Sequence, residues 1–277
     1  SAYGIVVGKR GDGMRLGMIG CGNMAAAMIK GILDKGLALP EEILASDRNA
    51  AARARGTALG VAVTEDNRKA AAWAEILVVA VKPQFYGAVL EEIRDCRPSG
   101  QVVVTIAPGI STEWVEHRLG AGVKVVRTMP NTPAMVGEGM TAVCCNRNVE
   151  QGELDRILGL LDGFGRAEQI PERLMDAAVS VGSSSPAYVF MFIEAMADAA
   201  VADGMPRAAA CRIAAQAVLG SAKMVLETGK HPGELKDMVC SPGGTTIEAV
   251  WSLERHGFRG CVMEAMRACT EKAKRMV

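Results

Sequence analysis

Leu16-Gly17-Met18-Ile19-Gly20-Cys21-Gly22-Asn23-Met24-Ala25 sets a short apolar run against a G-x-G-x-x-A turn, and residues 24–33 continue with apolar positions at helical spacing. Strand, tight turn and helix in that order open a βαβ unit. Gly20 permits the turn, Gly22 lets a pyrophosphate approach the backbone, and Ala25 allows helix and strand to pack closely. The free amides and the positive dipole end of the helix then suit phosphate. Glycine turns also arise for purely structural reasons, so the fingerprint takes its weight from what surrounds it.

What surrounds it is a repeat of the same alternation. Strand patterns recur at 43–46, 61–63, 76–81, 102–106 and 123–127, with helical patterns at 49–58, 66–73 and 84–93. A strand at 140–145, a helix at 150–161 and a last strand at 165–168 complete this half. Unbroken apolar strands suit a parallel sheet covered on both faces, so the fold class is α/β, an N-terminal Rossmann-type doubly wound, mostly parallel sheet. After Pro171 the texture changes to Ala- and Met-rich helices, expected at 172–181, 186–203, 206–227, 232–239, 245–256 and 258–277. Gly204-Met205-Pro206 and Gly229-Lys230-His231-Pro232 mark breaks between them. The expected division is therefore 1–13 as leader, 14–170 as an NAD(P)-binding domain and 171–277 as an all-α domain for substrate binding and dimerisation.

The chain has 277 residues, 49% of them hydrophobic, and equal numbers of basic and acidic side chains, 31 of each. A balanced charge argues against nucleic acid and against an anionic membrane surface as partners. No uninterrupted apolar run reaches the roughly 20 residues that span a bilayer. The 8 cysteines form no C-x-x-C pair, which fits reduced packing thiols in a cytoplasmic protein rather than a metal site. Cys21 and Cys240 lie beside glycine loops, but with only 3 histidines in the chain a cysteine nucleophile has little support. Apolar helix positions such as Met191, Met196, Met205 and Met224 read as core or subunit interface, and the interface reading predicts a homo-oligomer built from dimers through the C-terminal helices.

Three further stretches carry chemistry. At the end of the second strand, Asp47 suits the ribose hydroxyls of NADH and Arg48 the 2′-phosphate of NADPH, so the cofactor is either; Asn49 reads as a helix cap. Ala80-Val81-Lys82-Pro83 puts a lysine at the carboxyl edge of the sheet, where ligands sit in such folds. Ser241-Pro242-Gly243-Gly244-Thr245-Thr246, between two helical patterns, offers backbone amides and three hydroxyls to a carboxylate, or else simply caps the next helix. His231, Glu234 and Asp237 share helical spacing, yet read as a helix start rather than a metal cluster, and no metal is expected.

These stretches resemble the pyrroline-5-carboxylate reductases: Gly20 to Met24, Ala80-Val81-Lys82-Pro83-Gln84, Arg127-Thr128-Met129-Pro130-Asn131-Thr132-Pro133, Ser185-Pro186-Ala187-Tyr188, and above all His231-Pro232-Gly233-Glu234-Leu235-Lys236-Asp237 running into Ser241 to Thr246. The resemblance runs from Met14 to the C-terminus. It implies reduction of a small imino acid, 1-pyrroline-5-carboxylate, to L-proline with NADPH or NADH, the last step of proline biosynthesis. It also implies that Gly20, Cys21, Gly22, Asn23, Met24, Asp47, Arg48, Asn67, Ala80, Val81, Lys82 and Pro83 surround the cofactor. Ala107, Pro108 and Asn131 would then stand at the strand ends by the nicotinamide. Ser241, Gly243, Gly244, Thr245 and Thr246 would hold the substrate carboxylate, with the Thr246 hydroxyl facing the ring nitrogen as the catalytic group. One departure is Gly182-Ser183-Ser184-Ser185, where members often carry Ser-Gly-Ser-Gly before Pro-Ala-Tyr.

A 3-hydroxyacid dehydrogenase is the nearest rival, but it needs an acid or base for an alcohol proton, and the predicted helix 186–203 has no lysine; Lys223 on the next helix is available. A non-catalytic NAD(P)-binding protein would share the first domain but has no use for the anion loop.

Overall fold

The computed structural model describes residues 13–275, so the leader reading of 1–13 falls, apart from Gly13, outside the described residues. The chain divides into two compact units, one comprising the residues up to Ser184 together with those from Cys269 onward, the other Ser185–Ala268.

The first unit is built on one sheet. Strands β1 (Leu16–Ile19), β2 (Ile43–Ser46), β3 (Ala62–Thr64), β4 (Ile76–Val79), β5 (Val102–Thr105), β6 (Lys124–Met129), β7 (Gly139–Cys145) and β8 (Gly165–Gln169) lie in the order β3-β2-β1-β4-β5-β6-β7-β8. Helices α1 (Asn23–Asp34), α2 (Ala50–Ala58), α3 (Asn67–Trp73), α4 (Tyr86–Ile93), α5 (Thr112–Leu119) and α6 (Gln151–Leu161) connect them, and the short α7 (Met175–Ala178) follows. Strands β1 to β6 are parallel, β7 runs antiparallel to β6, and β8 is parallel to β7. Order reverses between β1 and β4, which places a crevice at their carboxyl ends, the ligand position of doubly wound sheets.

The sheet is covered on both faces. One apolar cluster joins Leu16, Met18, Val78 and Val104 to Met28, Ile32 and Leu160, and the other joins Ile19, Leu77 and Val103 to Ala70, Tyr86 and Leu90. Alternate residues of β1, β4 and β5 thus feed opposite clusters, the pattern required when both faces are buried.

The expected strands are all present, with shifted ends. β4 stops at Val79 rather than at 81, because Ala80 donates its last sheet bond to Ile19 and Pro83 opens a 3-10 turn. The eight-residue helix α5 was not expected between the fifth and sixth strands; Ser111 caps it through Trp114 N–H, and only Thr112, Val115 and Leu119 are buried. The helical texture begins after Pro171, but the segment 172–184 stays with the first unit as a 3-10 turn, α7 and a π turn, Val179–Ser183. Met175 and Val179 bury against Met129 and Cys144 there, which accounts for the difference from the expected boundary at 170.

The second unit contains α8 (Ser185–Ala202), α9 (Arg207–Thr228), α10 (Pro232–Val239), α11 (Thr245–Arg255) and most of α12 (Phe258–Lys274). Its helices bury only Ala197, Ala210 and Ala214, while Phe190, Met191, Ile213, Leu226, Trp251 and Met263 stand exposed. Two helical stretches, Glu172–Ala202 and Arg207–Thr228, are long and apolar enough by composition to cross a membrane. Single charges such as Glu194, Asp198, Arg212 and Lys223 break each one, so neither is an uninterrupted apolar run.

Candidate active site

The glycine loop leaves β1 through Gly20, whose φ of +101° lies in the left-handed region and whose added Cβ would stand 2.6 Å from the Ala80 carbonyl oxygen. Only glycine fits there. Gly22 follows as the residue before α1; a Cβ on it would meet no atom within 4 Å. No side chain caps α1 and no acid lies in its first turn, so its leading amides are left for a ligand.

A cleft of about 580 Å³ lies before this loop, lined by Gly20, Gly22, Asp47, Arg48, Asn67, Ala80, Val81 and Lys82 together with Ser46, Asn49, Ala52, Phe85, Ala88, Val89 and Glu92. Eight expected cofactor residues are thus brought to one cavity. Cys21, Asn23, Met24, Pro83, Ala107, Pro108 and Asn131 are not on its wall. The room beside Gly22 and the uncapped amides fit a dinucleotide phosphate.

On the cleft wall each Asp47 oxygen is already engaged: one accepts Cys21 N–H at 2.9 Å and the other Asn49 N–H at 2.8 Å. Asn49 is the cap it was expected to be, accepting from Ala51 and Ala52. Ser46 and Asn67 are buried; Ser46 Oγ donates to Asn67 Oδ1 at 2.9 Å, and Asn67 Nδ2 donates to Glu92 at 3.0 Å. Glu92, carried on α4, is a wall residue that the sequence reading missed; nothing about an acid on an amphipathic helix announces a cleft.

Between the cleft and the next strand end stands Tyr86, wholly buried, donating its phenol to Val79 C=O and accepting Ile106 N–H at 3.1 Å. It links the ends of β4 and β5, from which Ala80-Val81-Lys82-Pro83 and Ala107-Pro108 emerge. Burial pushes the Tyr86 phenol above its ordinary range, with the bonds from Ile106 and Ala107 pulling the other way, so it acts as a neutral bridge. Asn131 has a similar role: Nδ2 donates to Gly182 C=O and Oδ1 accepts Met140 N–H, both at 2.9 Å. Its amide is therefore spent on holding β7 and the π turn, and its carbonyl accepts Ala134 N–H at 3.1 Å.

The thiols of Cys21 and Cys144 are poor nucleophiles. Burial, with Asp47 adding to it, pushes Cys21 up to about 11, and burial, with Glu172 adding to it, pushes Cys144 up to about 12. All eight cysteines are unpaired.

The second unit carries the turn at Ser241 to Thr246. Ser241 C=O accepts Gly244 N–H at 3.0 Å, Gly243 takes φ +65°, and α11 begins at Thr245 with no side-chain cap. The hydroxyls of Thr245 and Thr246 are thus not used as the cap; the expected alternative, a plain Ser/Thr cap, is not what the turn does. Ser241 Oγ lies over Gly244, where a Cβ would meet it at 2.3 Å. His231 caps α10, its Nδ1 accepting Gly233 N–H at 3.1 Å, with Pro232 in the first turn. Glu234 pairs with Lys230 and Asp237 with Lys236, and no cluster of three metal-ligating side chains occurs among the described residues.

Comparison with known proteins bears on both units. Residues 172–276 match the family described as pyrroline-5-carboxylate reductase dimerisation, and residues 15–109 match NADP oxidoreductase coenzyme F420-dependent. The chain is 49% identical over 266 residues to a pyrroline-5-carboxylate reductase of Escherichia coli, covering 95% of this chain and 98% of that one. A pyrroline-5-carboxylate reductase structure from Coxiella burnetii superposes with a TM-score of 0.89 at 32% identity, covering 95% and 98% of the two chains. One from Plasmodium falciparum, with NADP bound, gives 0.85 at 32% identity over 95% and 98%.

Proposed function

The chain belongs to the pyrroline-5-carboxylate reductase family, and from that premise we propose how its residues divide the work of reducing 1-pyrroline-5-carboxylate to L-proline with NAD(P)H. The reduced nicotinamide supplies the hydride when bound. Residues 14–170 hold the cofactor: the α1 amides and Gly22 receive the pyrophosphate, Asp47, Arg48 and Asn67 take the adenosine end, and the strand ends at Ala80 to Pro83, Ala107, Pro108 and Asn131 frame the nicotinamide. Residues 171–277 supply the substrate loop and the dimer contacts.

The observation that carries the substrate assignment is the turn at Ser241 to Thr246, with a left-handed Gly243 and the amides and hydroxyls of Thr245 and Thr246 at an uncapped helix start. Such a turn holds a carboxylate by backbone donors and dipole. A cyclic imine with a basic nitrogen arrives protonated, so no strong acid is needed. Thr246 orients the ring nitrogen through its hydroxyl, and positioning supplies most of the acceleration.

The chain oligomerises, as its match to a dimerisation family indicates. Our reading assigns the contacts to the C-terminal helices, because their exposed Phe190, Met191 and Trp251 offer an apolar surface far larger than scattered side chains require. On this account the apolarity of α8 and α9 meets protein rather than lipid. The unpaired cysteines suit the reducing cytoplasm, where we place the enzyme.

Thr246→Ala tests the assignment. Turnover with pyrroline-5-carboxylate is expected to fall roughly 10- to 100-fold, with cofactor dissociation constants changed less than about twofold. A variant turning over at the wild-type rate overturns the role of Thr246.

A further inference from the structure

We propose that Glu92 sets the cofactor preference of this enzyme by competing with the 2′-phosphate of NADPH for the Arg48 guanidinium. The inference rests on the reading of the 580 Å³ cleft as the dinucleotide site. Across that cleft, Arg48 Nη2 lies 3.2 Å from Glu92 Oε2, and the same oxygen accepts Asn67 Nδ2 at 3.0 Å. Asn67 is itself fixed by buried Ser46. A polar chain therefore runs Ser46, Asn67, Glu92, Arg48 along the adenosine end of the cleft, and its last member is the most exposed.

The placement of Glu92 is unfavourable for the helix that carries it. It sits in the last turn of α4, ahead of the Arg94 C-cap, and a carboxylate there opposes the negative end of the helix dipole. Its stabilisation comes from across the cleft, from Asn67 and Arg48. The Arg48 side chain is 79% exposed and that of Glu92 24%, so the ion pair is weak and a phosphate dianion can take the guanidinium from it. The carboxylate then stands beside a phosphate, and the two compete for one guanidinium. Asp47 contributes differently, since each of its oxygens is already bonded to the loop and helix backbone.

NADH, with a hydroxyl in place of the phosphate, leaves the Arg48 to Glu92 pair standing. Glu92 thus lowers the advantage of NADPH without charging NADH anything, which makes it a specificity residue.

The test measures binding without substrate, by calorimetry or cofactor fluorescence, for NADPH and NADH separately. Glu92→Gln keeps an acceptor for Asn67 but removes the charge. The dissociation constant for NADPH is expected to fall roughly three- to tenfold, while that for NADH moves less than about twofold. Arg48→Ala, at a largely exposed position, is expected to weaken NADPH at least about tenfold and NADH less than about twofold. In the double variant the gain from Glu92→Gln disappears, since its beneficiary is gone. An unchanged NADPH to NADH ratio in Glu92→Gln, an equal tightening of both cofactors, or a gain that survives in the double variant overturns the proposal. Wild-type protein that binds neither dinucleotide would instead remove the cleft assignment beneath it, a separate failure.

Discussion

A methyl group added at Gly20 stands 2.6 Å from the Ala80 carbonyl, whereas one added at Gly22 meets nothing within 4 Å. The fold therefore requires the first glycine, whereas it places no such demand on the second. Gly22→Ala is expected to unfold within about 0.5 kcal/mol of wild type, as substitutions off the core generally do, while cofactor binding weakens at least tenfold or so by steric conflict with the phosphate. Denaturation and cofactor titration on the same sample separate the two. Tyr86→Phe tests the neutral bridge: with the phenol gone, Val79 C=O and Ile106 N–H lose their partner inside the core, at a cost of about 1–3 kcal/mol in urea denaturation. The glycine fingerprint was legible because its residues are consecutive. Glu92 and Tyr86 were not, since their partners at Arg48, Asn67, Val79 and Ile106 come near only through the sheet order.

At the scale of elements, Glu172 joins three of them. Its carboxylate accepts Thr112 N–H at 2.8 Å and Thr112 Oγ1 at 2.6 Å at the start of α5, and it receives Arg127 Nη1 of β6 at 3.1 Å. Burial alone would raise this carboxyl, but the Thr112 bonds and the Arg127 guanidinium outweigh it and hold the group below its ordinary 4.5. A depressed carboxyl stabilises the folded state fully above its unfolded value and ceases to do so as pH falls through the lowered one. Glu172→Gln should therefore cost about 1.5–3 kcal/mol near neutrality, and its deficit against wild type should shrink once pH drops well below 4.5; a constant deficit across that range would rule out the ionised contact. The central strands were legible because apolar runs buried on both faces are unambiguous, whereas the edge strands β3 and β8 carry no buried residue and were placed by the alternation of elements. Helix α5 was passed over because Thr112–Leu119 buries only three side chains, and the antiparallel turn of β7 left no trace because strand direction is set by where the chain returns, not by composition.

The whole molecule pairs a well-buried sheet unit with a helical unit whose large side chains face outward. Replacing exposed apolar residues of the helices by charge, as in Met191→Asp with Trp251→Glu, is expected to shift the assembly toward monomer in sedimentation or light scattering, with the sheet unit still binding cofactor. An unchanged mass would place the subunit contacts elsewhere. Mixing the protein with pyrroline-5-carboxylate and NADPH, or NADH in parallel, with cofactor absorbance and proline followed together, tests whether the proposed dinucleotide cleft and carboxylate loop serve one reaction. One proline is expected for each cofactor oxidised, with a rate that collapses in Thr246→Ala. Protein that binds the cofactor yet consumes none of it with the cyclic imine would overturn this division of work.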